Sequence, residues 1–221
     1  MFAPRRLTTA EHLDDHAADP ASVARSLRDL RGINRWLGGT LAYRGLLRRL
    51  TPRRDVSILD IGTGTSDLLE SIDAPRKIGA DLKLDHLAYG AALAPRAGVA
   101  RLAANAMSLP FRDGSVDLVT SSHFFHHFSE EENVAILREC LRVARIGVGV
   151  SDTRRHWLPL LFVGAVAATP FWGEITRHDA PASVRQGYTI AEAKAIARRA
   201  GAARWRVIRQ IPFRFGVLLW K

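Results

Sequence analysis

The run Ile58-Leu59-Asp60-Ile61-Gly62-Thr63-Gly64-Thr65-Ser66 limits what this chain can fold into more than any other feature. A short apolar run meets a tight glycine turn, and Leu68, Leu69 and Ile72 follow at helical spacing. That pattern reads as a buried strand turning directly into a helix. Glycines at 62 and 64 let the backbone approach a ligand with no Cβ in the way.

The alternation continues. Lys77–Leu82, Val99–Ala103, Val116–Ser121 and Arg145–Ser151 read as strands. A helix around Asp85–Leu93 follows the second strand, and Ser129 with Glu132 forms a capping box that starts another. Thr189 with Glu192 repeats the box, and Gly201 ends that helix. Arg204–Ile211 and Phe213–Trp220, separated only by Pro212, read as a terminal antiparallel pair. Such an order implies an α/β fold, with a mostly parallel seven-stranded sheet, an antiparallel last strand and helices on both faces. Any ligand then lies at the carboxyl ends of the strands.

Upstream, residues 1 to about 20 look irregular. Val23, Leu27, Leu30, Ile33 and Leu37 share one helical face that stops at Gly38-Gly39. A second short helix carries Leu41, Leu46, Leu47 and Leu50 before Pro52. Residues 1–54 are expected to form a helical lid hinged at Gly38-Gly39, over a domain spanning 55–221.

The glycine turn also says what it does not hold. A dinucleotide fingerprint wants a third glycine at 67, where this chain has Asp67. A carboxylate at that helix start would repel a pyrophosphate. No Gly-Lys-Ser/Thr follows, so a P-loop is excluded. Asp60, ending a buried strand, needs a cation or donors, and the ammonium of an amino-acid ligand would serve. Asp81 ends the second strand, where a carboxylate can accept both ribose hydroxyls. Together these residues describe an adenosine bearing an amino acid and no phosphates.

With those residues in place, D-x-G-x-G-x-S and a second strand ending in Asp resemble the first two motifs of class I S-adenosylmethionine methyltransferases. Ser66 departs from the glycine common there. Ala104-Asn105-Ala106-Met107-Ser108-Leu109-Pro110-Phe111 resembles the family's D-A-x-x-L-P-F motif, with Asn105 in place of Asp, and Val116-Asp117-Leu118-Val119 its fourth strand. The resemblance covers roughly 55–150. It implies a Rossmann-like methyltransferase fold that binds S-adenosylmethionine through Asp60, Gly62, Thr63, Gly64, Asp81, Leu82, Asn105, Ala106 and Ser121. The bland alternative is a Rossmann-like domain that binds another nucleotide, or nothing.

Methyl transfer to a hydroxyl also needs a proton acceptor. The end of the fourth strand, Ser121-Ser122-His123-Phe124-Phe125-His126-His127-Phe128, offers three histidines beside three phenylalanines. Histidine titrates near neutrality. His126 is the first choice for the base and His127 the second, because quinone-biosynthesis-type methyltransferases often read L-H-H here. No metal is expected, since these histidines lack a second ligand cluster. The Asn/Asp-Pro-Pro-Tyr/Phe motif of adenine and cytosine methyltransferases is absent.

Trp157–Trp172 is the longest apolar stretch, short of the roughly 20 residues that span a bilayer. It reads as a substrate cap (with 157–187 as the insertion), a core helix, or a contact with lipid. The polar stretch Thr176–Arg185 reads as a loop, resembling one in methyltransferases associated with type III polyketide synthases. His178 and Asp179 in it form either a second acid–base site or a loop-ordering hydrogen bond.

The net charge of +10 allows either a solvated basic face or a patch for RNA or an anionic membrane. The single cysteine, Cys140, excludes an internal disulfide, and with no apolar leader the expected location is cytoplasmic, or peripheral at a membrane. The expected activity is O- or C-methylation of a phenolic, polyketide or quinone-like small molecule in secondary metabolism. The alternatives are an RNA or protein methyltransferase and a non-catalytic cofactor-binding module.

Overall fold

The computed structural model describes every residue except 1, 2, 9 and 16, so part of the stretch expected to be irregular lies outside the described residues. Seven strands, β1 (Ser57–Ile61), β2 (Arg76–Asp81), β3 (Val99–Ala103), β4 (Val116–Ser122), β5 (Ala144–Thr153), β6 (Arg204–Gln210) and β7 (Arg214–Trp220), form one sheet in the order β3-β2-β1-β4-β5-β7-β6. All neighbours from β3 to β5 are parallel; β7 alone runs against them, pairing antiparallel with both β5 and β6. The order reverses between β1 and β4, which opens a crevice at their carboxyl ends.

Among the described residues, eight α-helices flank the sheet: α1 (Pro20–Trp36), α2 (Gly39–Leu50), α3 (Asp67–Glu70), α4 (Leu84–Leu93), α5 (Glu130–Val143), α6 (Trp157–Ala167), α7 (Glu174–Gln186) and α8 (Ile190–Arg199). Both capping boxes form: Ser129 and Thr189 accept from the backbones of Glu132 and Glu192, whose side chains accept in return. The sheet has a core on each face. Ile136 and Leu137 of α5 and Ile196 and Ala197 of α8 cover Leu59, Val119, Val148 and Phe215. Leu46 and Leu50 of α2 cover Ile58, Leu118 and Leu218 on the other side. The strand period of two therefore sends Leu59 and Ile61 to one face and Ile58 and Asp60 to the other.

Three expectations change. Helix α2 is not a lid: Tyr43 and Leu46 are fully buried beneath the sheet. Its apolar stripe covers β5 and β7, and of α1 and α2 it is α1 that lines the crevice, through Leu27, Leu30 and Asn34. The stretch expected as a polar loop is α7, which continues through Pro181. Its polar residues face neighbours: Asp179 accepts the backbone N–H groups of His12 and Leu13 at 2.9 Å, and Thr176 donates to Ser26. Finally, α6 leaves Trp157, Leu158, Leu161 and Phe162 exposed and buries only Pro159 and Ala167; none of these lines the crevice, whereas Ser183 of α7, within the expected 157–187 insertion, does.

Candidate active site

A cavity of about 320 Å³ opens at the carboxyl ends of β1, β2 and β4. Its near end is the glycine turn. Gly62 has φ +60°, and a Cβ there would lie 2.2 Å from the Phe124 ring, so no other residue fits. Ser66 stands at φ +64°, the left-handed conformation that favours glycine at this point of the turn. The carboxylate of Asp81 is held firmly: Oδ2 accepts from Gly64 N at 2.7 Å and Oδ1 from Lys83 N at 2.9 Å. Asn105 Oδ1 accepts from Met107 N at 2.9 Å, which fixes the amide at the cavity edge and leaves one acceptor lone pair.

Gly62, Thr63, Gly64, Asp81, Leu82, Asn105 and Ala106 all line this cavity. Asp60 and Ser121 do not. Asp60 points to the α2 side, accepting from Thr120 Oγ1 at 2.7 Å and, more weakly, from Tyr43. Burial outweighs these hydroxyls and pushes its pKa up to about 6. Its donors are thus neutral protein groups, where an ammonium was expected. Ser121 Oγ donates to the Ile61 carbonyl and ties β4 to β1.

Four carboxylates line the cavity, Glu11, Asp14, Asp67 and Asp81, with Lys83 the only Lys or Arg among the described lining residues. That donor set suits a ligand carrying positive charge and no phosphate, as the sulfonium and ammonium of S-adenosylmethionine do. Asp67 is kept in place by Asn34 Nδ2 at 3.0 Å and Thr65 Oγ1 at 3.1 Å, and burial raises its pKa.

Next to the glycine turn the cavity wall carries His123, His126 and His127, with Phe124 and Phe128. They follow β4 through a 3-10 turn, Phe125–His127, whose backbone amides are gathered by one carboxylate. Asp152, from β5, accepts from the N–H groups of Phe124, Phe125 and His126 at 2.7–3.2 Å, and from His126 Nδ1 at 2.7 Å. His126 Nε2 lies 3.4 Å from Glu11 Oε1. Burial disfavours the His126 charge, but Asp152 and Glu11 outweigh it and raise its pKa to about 10. Burial likewise opposes the Asp152 charge, yet His126 holds that carboxyl well below its usual range. His126 therefore carries its proton at neutrality, with both ring nitrogens engaged.

His127 differs. Burial and the neighbouring His126 charge lower its pKa, so it is neutral at pH 7. Its nitrogens lie 3.4 Å from Asp14 and 4.0 Å from Glu11. His123 is also neutral, lowered well below the usual value by burial and by Arg214. His178 does not reach the cavity. It stacks on His12 at 3.6 Å and its Nδ1 donates to Asp179 at 2.8 Å, so it anchors the N-terminal segment.

Sequence reasoning missed Glu11, Asp14 and Asp152. Glu11 reaches the cavity together with Leu13 and Asp14, and its Oε1 accepts from Ser183 at 2.6 Å. Expecting no metal rested on the histidines having no ligand partners. The fold supplies them: Glu11, His126 and His127 converge, as do His123, His126 and Asp152. In this arrangement Glu11 and Asp152 are already occupied by His126.

Residues 59–149 match the family model described as "Methyltransferase domain". No curated protein matches the chain in sequence. Among solved structures, a SAM-dependent methyltransferase from Aquifex aeolicus is 20% identical, with TM-score 0.64 over 92% of this chain and 98% of its own. YcgJ from Bacillus subtilis is 23% identical, with TM-score 0.57 over 76% and 70%. Human N-acetylserotonin methyltransferase, solved with SAM, is 11% identical, with TM-score 0.64 over 88% and 54%. At these identities the likeness is one of fold.

Proposed function

We propose that the chain is a class I S-adenosylmethionine-dependent methyltransferase, a reading supported by the match of residues 59–149 to a methyltransferase domain and by the shared fold, and that its acceptor is a small lipophilic molecule methylated on oxygen or carbon. One observation carries this reading: the glycine turn and the histidine–phenylalanine segment line one cavity of about 320 Å³ whose walls include apolar side chains. Phe124, Phe128, Leu27 and Leu30 line it, giving the acceptor apolar walls.

Asp81 takes the ribose hydroxyls in this account, and Asn105 contacts the adenine edge with its remaining lone pair. Gly62, Thr63 and Gly64 pass the backbone under the methionyl part, with Leu82 and Ala106 beside the adenosine. When bound, S-adenosylmethionine supplies an electrophilic methyl group for a one-step displacement. His127, neutral and cavity-facing, takes the acceptor proton. His126 serves as a charged anchor that holds Glu11 and Asp152. Helix α1, with Glu11, Leu13 and Asp14, borders the site, and α6 offers an exposed apolar surface to lipid or to a partner.

The test is a transfer assay with methyl-labelled S-adenosylmethionine and a lysate of the host. Label in an organic extract supports the lipophilic acceptor. Label in acid-precipitable material replaces it with RNA or protein and makes the basic surface functional.

A further inference from the structure

Two histidines and a glutamate converge on one stretch of the cavity wall. One ligand-capable atom each of Glu11, His126 and His127 lies within 4.8 Å of the other two. His126 Nε2 stands 3.4 Å from Glu11 Oε1, longer than an ordinary N–H···O hydrogen bond. His127 Nε2 stands 4.0 Å from Glu11 Oε2. Two ligands about 2.1 Å from a tetrahedral ion are about 3.4 Å apart. The spacing therefore suits a shared cation better than direct bonds among the three side chains.

The other side of each ring is held. His126 Nδ1 donates to Asp152 at 2.7 Å, and His127 Nδ1 lies 3.4 Å from Asp14 Oδ2. A carboxylate on the second ring nitrogen is the usual support of a metal-ligating histidine, since it fixes the ring and the tautomer and leaves Nε2 for the ion. Glu11 is anchored as well: Oε1 accepts from Ser183 at 2.6 Å and from Gln186 Nε2 at 3.2 Å. Both bonds fall on Oε1, which leaves Oε2 toward His127. Glu11 and His126 are 8% and 2% exposed, yet with His127 they line the cavity, so an ion there is shielded but reachable. Charge agrees with this. Glu11, Asp14 and Asp152 meet at the two rings, and Lys83, 3.9 Å from Asp14, is the only Lys or Arg among the described lining residues. A dication and Lys83 together balance three carboxylates.

We propose that Glu11, His126 and His127 bind one divalent transition-metal ion of the zinc class, with its open coordination position toward the cavity. Two imidazoles and a carboxylate suit zinc, whereas magnesium takes oxygen ligands. Ligands bind deprotonated, so the ion takes the place of the His126 Nε2 proton, which passes to solvent. What the ion does there rests on the reading of the cavity as the methyl-transfer site: it holds an acceptor oxygen and favours its anion. While bound it uses the lone pair of His127, so proton transfer to that ring belongs to the metal-free protein.

The test is a titration of EDTA-stripped protein, with zinc against a chromogenic chelator and with cobalt(II) followed by visible absorption. We expect one zinc per chain with a Kd below about 1 μM, no displacement by excess magnesium, and the strong visible bands of four- or five-coordinate cobalt. Glu11→Gln and His127→Gln should each weaken zinc by about tenfold or more and lose the cobalt bands. His127→Gln alters a ring that is 25% exposed, and it carries the test if Glu11→Gln does not fold. His178→Ala, at the separate cluster of His12, His178 and Asp179, should change neither readout. No one-to-one zinc binding overturns the proposal, as does wild-type affinity in Glu11→Gln and His127→Gln. Displacement by magnesium overturns the imidazole ligands. Loss of binding in His178→Ala alone moves the ion to that other cluster and overturns the site proposed here. None of these readouts needs turnover, so a failed transfer assay and a failed metal site are told apart.

Discussion

Asp152 accepts a 2.7 Å hydrogen bond from His126 Nδ1 while its other oxygen gathers three consecutive backbone N–H groups, so one carboxylate shapes the turn and charges its histidine. Asp152→Asn should therefore disturb more than one contact. We expect a loss of about 3 kcal/mol in stability, the usual cost of breaking a buried charged pair from one side. Urea unfolding of the two proteins checks it.

The charged pair has a pH signature. The folded-state pKa of His126, about 10, lies above its unfolded value of 6.5. Its stabilisation is complete below pH 6.5 and is lost as pH rises toward 10. Unfolding free energies at successive pH values should fall along that window in the wild type and fall less in His126→Gln. Equal slopes would mean that His126 is neutral in the fold.

Cofactor affinity should depend on Asp81. Asp81→Ala removes the carboxylate proposed to accept the ribose hydroxyls and also frees the Gly64 amide, so binding should weaken about tenfold or more. Titration calorimetry with S-adenosylhomocysteine measures this directly.

For an oxygen acceptor, His127→Ala should lower kcat by about 10²–10⁴-fold. The wild-type rate should rise through an acid limb with its midpoint below 6.5, because His127 must be neutral and its pKa is lowered. The variant should lack that limb. An unchanged profile would move the proton acceptor elsewhere.

The revised place of α2 is tested by Leu46→Ala. Leu46 is fully buried against Leu50, Leu118 and Leu218. The loss should be about 2–5 kcal/mol. A mobile lid residue would cost far less.

The sheet and the glycine turn were legible because their signals are local. A strand, a glycine turn and a helix start occupy Ile58–Leu69, and Asp81 ends the next strand. The acceptor end was not, because its chemistry is assembled over long separations. His126 appeared to be a free base until Asp152 and Glu11, 26 residues away in one case, were brought against it by β5 and the N-terminal segment. Helical periodicity likewise gave α2 an apolar stripe without saying which surface it covers. The stretch 176–185 reads as a loop because Pro181 and its polar residues mask a helix whose polar contacts are all tertiary.

The most direct test is a crystal structure with S-adenosylhomocysteine bound. The account predicts the ribose on Asp81, the adenine edge at Asn105, and the sulfur turned toward His123 and His127, with room beyond it for an acceptor. A ligand whose sulfur faces away from the histidines, or that binds outside this cavity, would contradict it.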